Sequence, residues 1–161
     1  LAMFEPAYPI SRMAAETELL EKAAKKHVHA GGTKDSISLL GMELAGDQLK
    51  ANHTYDWSTF ENQVLGEKYA TIDALFATDG EHGNSFLYNI IDLLRGEERS
   101  GINIARLAYL LARREPKKGA PEDVRKAYAR FSANVYGWAL DAEQRRQLLT
   151  AMIIYTYNNR E

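Results

Sequence analysis

The sequence predicts a mainly α protein, an antiparallel helical bundle preceded by a small α/β opening of strand, helix and strand. Apolar residues recur every three or four positions along most of the chain, short breaks rich in Gly and Pro separate these stretches, and a period-two alternation occurs early, at Ser36-Ile37-Ser38-Leu39-Leu40. Breaks of that length join antiparallel neighbours in a bundle. The 161 residues amount to one domain or slightly more, divided by pattern into 1–46 and 52–161.

Leu1-Ala2-Met3-Phe4 reads as a strand entered midway, closed by Pro6 and Pro9. Ile10, Met13, Thr17, Leu20 and Ala24 then share one helical face, so a helix is expected from about Pro9 to His27. Lys25, Lys26 and His27 suit its C-terminal dipole, and Gly31-Gly32 stops it. Ser36 to Leu40 is the second strand. After Gly46 the pattern reads as helical throughout. Asp56 is an N-cap for a segment bearing Trp57, Phe60, Val64 and Leu65, continued after Gly66 by Tyr69, Ile72, Leu75 and Phe76. Asp79-Gly80-Glu81-His82-Gly83 is a turn by composition. Ser85 is expected to cap Phe86 to Leu94, Gly96 to Gly101 to break that helix, and Ile102 to Arg114 to form the next. Pro121 starts a helix carrying Val124, Tyr128, Phe131 and Val135, Gly137 interrupts it, and Asp141 caps the last one.

With 20 Lys+Arg against 22 Asp+Glu the formal charge is −2, but it is unevenly spread. Residues 1–98 carry 8 basic and 16 acidic side chains, and residues 99–161 carry 12 and 6. The second stretch can face a polyanion and the first cannot. The absence of Cys excludes disulfides, thiol nucleophiles and Cys-type zinc sites, and it suits a cytoplasmic protein. No apolar run approaches the roughly 20 residues of a membrane span, so a membrane is not expected among the partners.

Few residues point to chemistry. His27 and His29 are two apart, a poor spacing for helical metal ligands, and read as solvated turn histidines. Glu16, Glu18 and Glu21 read as a solvated face, since Glu16 and Glu18 lie on different sides of a helix. Gly31-Gly32-Thr33-Lys34 leads into a strand, where a phosphate loop leads into a helix. Of the aromatic set Tyr55, Trp57, Tyr69, Tyr88, Tyr109, Tyr128, Tyr136, Trp138, Tyr155 and Tyr157, most share faces with Leu, Ile and Phe and read as core, with one or two left to stack on bases. The basic set is the strongest signal. Arg113 and Arg114 end one helix, Lys117 and Lys118 sit in the loop, and Arg125 and Lys126 open the next, with Arg130 beyond. Such a corner holds phosphates through counterion release, or else forms a solvated surface with partners such as Glu122 to Lys126. Arg106, between Ala105 and Leu107, is expected to be a buried arginine paired with a carboxylate such as Asp92.

Tyr8-Pro9-Ile10 with the helix that follows, Lys34-Asp35-Ser36-Ile37-Ser38-Leu39, Tyr55-Asp56-Trp57-Ser58-Thr59-Phe60, Ser85-Phe86-Leu87-Tyr88 and above all the string Asn103 to Pro116 together resemble the end of the large, polymerase-like subunit of type III-A CRISPR-Cas effector complexes, the Csm-type member of the Cas10 family. The resemblance covers nearly the whole chain. It implies that 1–46 is the remnant of a ferredoxin-like palm domain and 52–161 the terminal helical domain. Members of the family cleave single-stranded DNA with an HD nuclease and make cyclic oligoadenylate at a Gly-Gly-Asp-Asp hairpin. Neither Gly-Gly-Asp-Asp nor a His-Asp pair occurs here, so both centres are expected to lie before Leu1, and no catalysis and no cofactor are expected of this chain alone. The implied role is scaffold and contact surface, with small helical subunits, other subunits of the complex, the remaining domains of the same subunit, and guide and target RNA as neighbours. A stand-alone small helical subunit, an autonomous RNA-binding bundle and an independent enzyme are the alternatives. Unpaired edges on the two early strands predict a covering partner, either a second copy or another part of the subunit.

Overall fold

A computed structural model describes the chain except for residues 1–3, 5, 6, 46, 47, 79–82, 96–100, 160 and 161, with backbone only at 43–45, 48 and 49. The expected first strand, the turn at 79–83 and the break at 96–101 therefore fall wholly or mostly outside the described residues. Two compact units divide the chain, Leu1–Gln63 and Val64–Glu161.

In the first unit α1 (Ile10–Lys26) begins after Pro9, which is extended at φ −62°. Of its apolar face only Leu20 is buried. Strand β1 (Ser36–Ser38) appears where the alternation placed it, and a hairpin of β2 (Glu43–Ala45) and β3 (Gln48–Lys50) follows. Strand β4 (Thr54–Asp56) returns to pair antiparallel with β1, Ile37 opposite Tyr55. Ser38 and Thr54 share a buried hydroxyl bond of 2.8 Å, and α1 packs on this pair.

Two of these strands, β3 and β4, occupy the start of the stretch after Gly46 expected to be helical. Gly46-Asp47, a dipeptide suited to a two-residue hairpin, was the available signal. Because β4 pairs back onto β1, the first compact unit extends past the boundary at 46–52 to Gln63.

Helical backbone then runs unbroken from Trp57 to Thr78, through α2 (Trp57–Thr59), a π-helical segment (Phe60–Tyr69) and α3 (Ala70–Thr78). Asp56 caps it as expected, accepting from the Thr59 amide at 2.9 Å.

The second unit is a bundle of α3, α4 (Asn84–Arg95), α5 (Gly101–Arg113), α6 (Glu122–Leu140) and α7 (Ala142–Asn158). Ser85 lies inside the first turn of α4, whose Phe86 amide bonds Gly83 O, so the helix starts two residues earlier than a Ser85 cap would place it. Helix α7 packs against α3, α4 and α6 and is buried on nearly all sides. Its buried threonines satisfy themselves on their own helix, Thr150 on Arg146 O (2.9 Å) and Thr156 on Ile153 O (3.0 Å). Helix α6 passes through Gly137 without the expected interruption, because Val135 and Ala139 on either side are fully buried and hold the turn. Asp141 alone separates α6 from α7 and accepts from the Gln144 amide at 2.9 Å. Among the described residues no helix is long and apolar enough to cross a membrane.

Candidate nucleic-acid interface

The basic corner is the turn from α5 into α6. Leu107 and Leu111 bury one face of α5, and Tyr128 and Phe131 the matching face of α6. The Tyr128 hydroxyl donates to Leu111 O at 2.6 Å, tying the two helices together at the corner. Burial pushes its pKa up to about 12, with Glu115 adding to the rise and Arg114 opposing it. Phe131 lies 6.3 Å from Tyr128 and 6.0 Å from Phe86, ring centre to ring centre. The chain leaves α5 through Glu115 N to Ala112 O (3.3 Å), turns at Ala120 N to Lys117 O (2.9 Å), and enters α6 with Arg125 N on Pro121 O (3.1 Å).

All six cations of the corner are exposed, but they divide into three sets. Arg125 and Lys126 line a groove of about 730 Å³ between α5 and α6. Its floor is small and apolar, with Ala108, Ala112, Ala129 and Ala133, and Glu115, Glu122 and Tyr136 stand around it. Lys126 is paired with Glu122 at 2.6 Å, an exposed i,i+4 bridge, and such bridges contribute about 0–1 kcal/mol and leave the charge available. Arg114, though exposed, sets its guanidinium 5.9 Å from the Phe86 ring centre, a cation–π contact. Arg113, Lys117 and Lys118 form no ion pair among the described residues.

Arg106 departs from its expected burial. It is exposed, as is Asp92, because the buried face of α5 is set by Leu107 and Leu111 and Arg106 lies on the opposite side. The aromatic set also divides more evenly than its sequence neighbours suggested. Tyr55, Tyr128 and Tyr155 are buried, whereas Trp57, Tyr88, Tyr109, Tyr136 and Tyr157 are exposed, Tyr109 most of all at 67%.

The histidine pair is organised by its turn. Gly31 N donates to His29 Nδ1 at 3.1 Å, which leaves Nε2 to donate to Lys34 O at 2.5 Å. His27 Nδ1 meets Ser36 Oγ at 3.1 Å. A Cβ at position 31 would lie 2.9 Å from the His29 ring, which would have to move to admit it. His82 falls outside the described residues. The acidic face of α1 is engaged in exposed pairs, Glu18 with Lys22 at 2.6 Å and Glu21 with Lys25 at 2.5 Å, while Glu16 accepts from the Tyr8 hydroxyl.

A cation that the sequence patterns do not single out is Lys68 in the π-helical segment. It is fully buried, its Nζ 2.6 Å from Glu67 and 4.8 Å from the Trp138 ring centre. Its carboxylate partner Glu67 is half exposed, and the Trp138 indole face receives the ammonium.

Residues 73–161, which hold the whole corner, match the family described as the second helical domain of the Cmr2 subunit of the CRISPR RNA silencing complex. The full length of the chain is 34% identical to a subtype III-A CRISPR system single-strand-specific deoxyribonuclease Cas10/Csm1 from Enterococcus italicus. The chain belongs to the Cmr2/Cas10 family. Cas10/Csm1 proteins of the same description from Streptococcus thermophilus and Mycobacterium tuberculosis are 32% and 31% identical over 163 residues, again across all of this chain. The chain spans 18%, 19% and 18% of the three relatives' lengths. The Cas10 resemblance carried by Asn103 to Pro116 thus falls inside the matched helical domain, at α5 and the start of the corner.

Proposed function

We propose that this Cas10-family chain is a structural, RNA-proximal interaction domain of a type III-A interference subunit, non-catalytic by itself and in need of no cofactor. On this reading it packs on neighbouring small helical subunits beside guide and target RNA, 1–46 is what remains of a palm domain, and the full-length subunit cleaves single-stranded DNA and makes cyclic oligoadenylate. The observation that carries the RNA reading is the exposed corner between α5 and α6, where Arg113, Lys117, Lys118 and Arg125 are gathered with no carboxylate paired to them among the described residues. Cations so arranged hold a polyanion by releasing its counterions. The alanine-floored groove beside them favours a second reading, contact with a helix of a neighbouring subunit.

Anisotropy of a labelled single-stranded RNA with the 161-residue chain, between roughly 50 and 200 mM salt, tests it. Affinity is expected to fall steeply with salt, and an Arg113→Ala, Lys117→Ala, Lys118→Ala, Arg125→Ala variant to flatten the log–log slope by about 0.7 for each phosphate that is no longer neutralised. No binding at low salt overturns the RNA reading and leaves protein contact through the groove.

A further inference from the structure

Helix α5 has a face that the corner does not explain. Leu107 and Leu111 define its buried side. At about 100° per residue, Ile102, Arg106, Tyr109 and Arg113 fall within a narrow strip on the opposite side, separated by steps of four, three and four. The burial agrees: Ile102 is 63% and Tyr109 67% exposed, and both arginines are exposed. No acidic residue occurs anywhere in α5, and neither arginine forms an ion pair among the described residues. The two guanidinium stems are about 10 Å apart along the axis, one on each side of the tyrosine.

We propose that this strip is a stacking platform for single-stranded RNA, with the Tyr109 ring taking one unpaired base and Arg106 and Arg113 holding the phosphates on either side; this rests on the RNA-proximal reading and extends it from the corner onto α5. An aromatic ring facing water between two cations matches how single strands are held without sequence readout. Charge argues for RNA over a protein occupant, since a strip with two arginines and no carboxylate complements a polyanion, and it continues into Lys117 and Lys118. Ile102 stands about two turns from Tyr109 on the same strip, beyond Arg106.

The test uses the same chain and a labelled single-stranded RNA of about 12 nucleotides, within the span such sites cover. Tyr109→Ala is expected to weaken binding about fivefold or more, the range of a single base stack, with the salt slope unchanged. Tyr109→Phe is expected to bind like the parent, because the ring face and not the hydroxyl makes the contact. Arg106→Gln is expected to lower the slope by about 0.7. Both positions are solvent-facing, and an unchanged circular dichroism melt establishes that each of the three variants is folded.

If the parent binds and Tyr109→Ala binds equally well, the platform is overturned while the corner reading stands. If the parent does not bind at low salt, both fall. Equal affinity for the same RNA annealed into a duplex overturns stacking, since paired bases offer no free face. Tighter binding of the matching single-stranded DNA overturns the assignment to RNA. Failure of Tyr109→Ala to bind a helical subunit, with RNA affinity intact, makes the strip a protein-binding surface instead.

Discussion

At the scale of single residues, this protein depends on short polar side chains placed where a helix begins. Asp56 and Asp141 each accept from the amide three residues on, at 2.9 Å, and leave one fewer donor unsatisfied in the first turn. The bonds from the Thr59 side chain and backbone favour the ionised Asp56, so its pKa lies below the ordinary 3.8. A carboxylate with a depressed folded pKa stabilises the fold above its unfolded value, and that contribution is lost as pH falls through the folded one. Asp56→Ala is therefore expected to lower stability by about 0.5–2 kcal/mol at neutral pH. The difference between variant and parent should shrink as pH falls below the unfolded value of 3.8 towards the depressed folded one, and urea unfolding at pH 7 and at successively lower pH follows it. Both caps were legible in the sequence, because a cap is a local event between residues three apart. Lys68 was not, because its burial depends on the Trp138 indole 70 positions away in the chain.

At the scale of elements, local signals and packing sometimes disagree, and Gly137 is the clearest case. A glycine in a helix interior disfavours it by roughly 0.5–1 kcal/mol relative to alanine, which is why a break is expected there. The turn persists because Phe131, Val135 and Ala139 are all fully buried on the same side of α6. A Cβ at position 137 would meet nothing within 4 Å. Gly137→Ala is thus expected to raise stability by about 0.5–1 kcal/mol, seen as an upward shift in thermal unfolding with α6 otherwise unchanged. The stretch after Gly46 shows the opposite failure. Its two strands are three residues each, too short for a period of two to separate from a period near four, and β4 exists because β1 stands ready to pair with it. The rotation of Arg106 and Tyr109 to the outside of α5 was in principle readable from the 100° period, since Leu107 and Leu111 mark the inside.

At the scale of the molecule, a positive second stretch and a negative first one coexist in a chain of net charge −2, so affinity for a polyanion is a property of one surface and not of the total. The early strands leave less for a covering partner to pair with than their sequence implies. β1 is paired with β4, and each strand is only three residues long, a length that offers little edge to a second chain. Size-exclusion with light scattering is accordingly expected to return the 18.1 kDa monomer, and a stable dimer would show that an edge remains open. What the sequence by itself determined is the mainly α class, the course of α1, α4, α5 and α7 to within a residue or two, the caps at Asp56 and Asp141, the basic composition of the corner, and the Cas10 family likeness. These rest on contacts between near neighbours or on the order of residue types, and both are written along the chain. Only the tertiary structure decided that β4 returns to β1, that α6 passes through Gly137, that Lys68 is enclosed against Trp138, and that Arg114 lies against Phe86 while Arg113 stays in water. Each of these depends on which distant surface is packed against the residue, and burial by a distant segment leaves no mark on local periodicity.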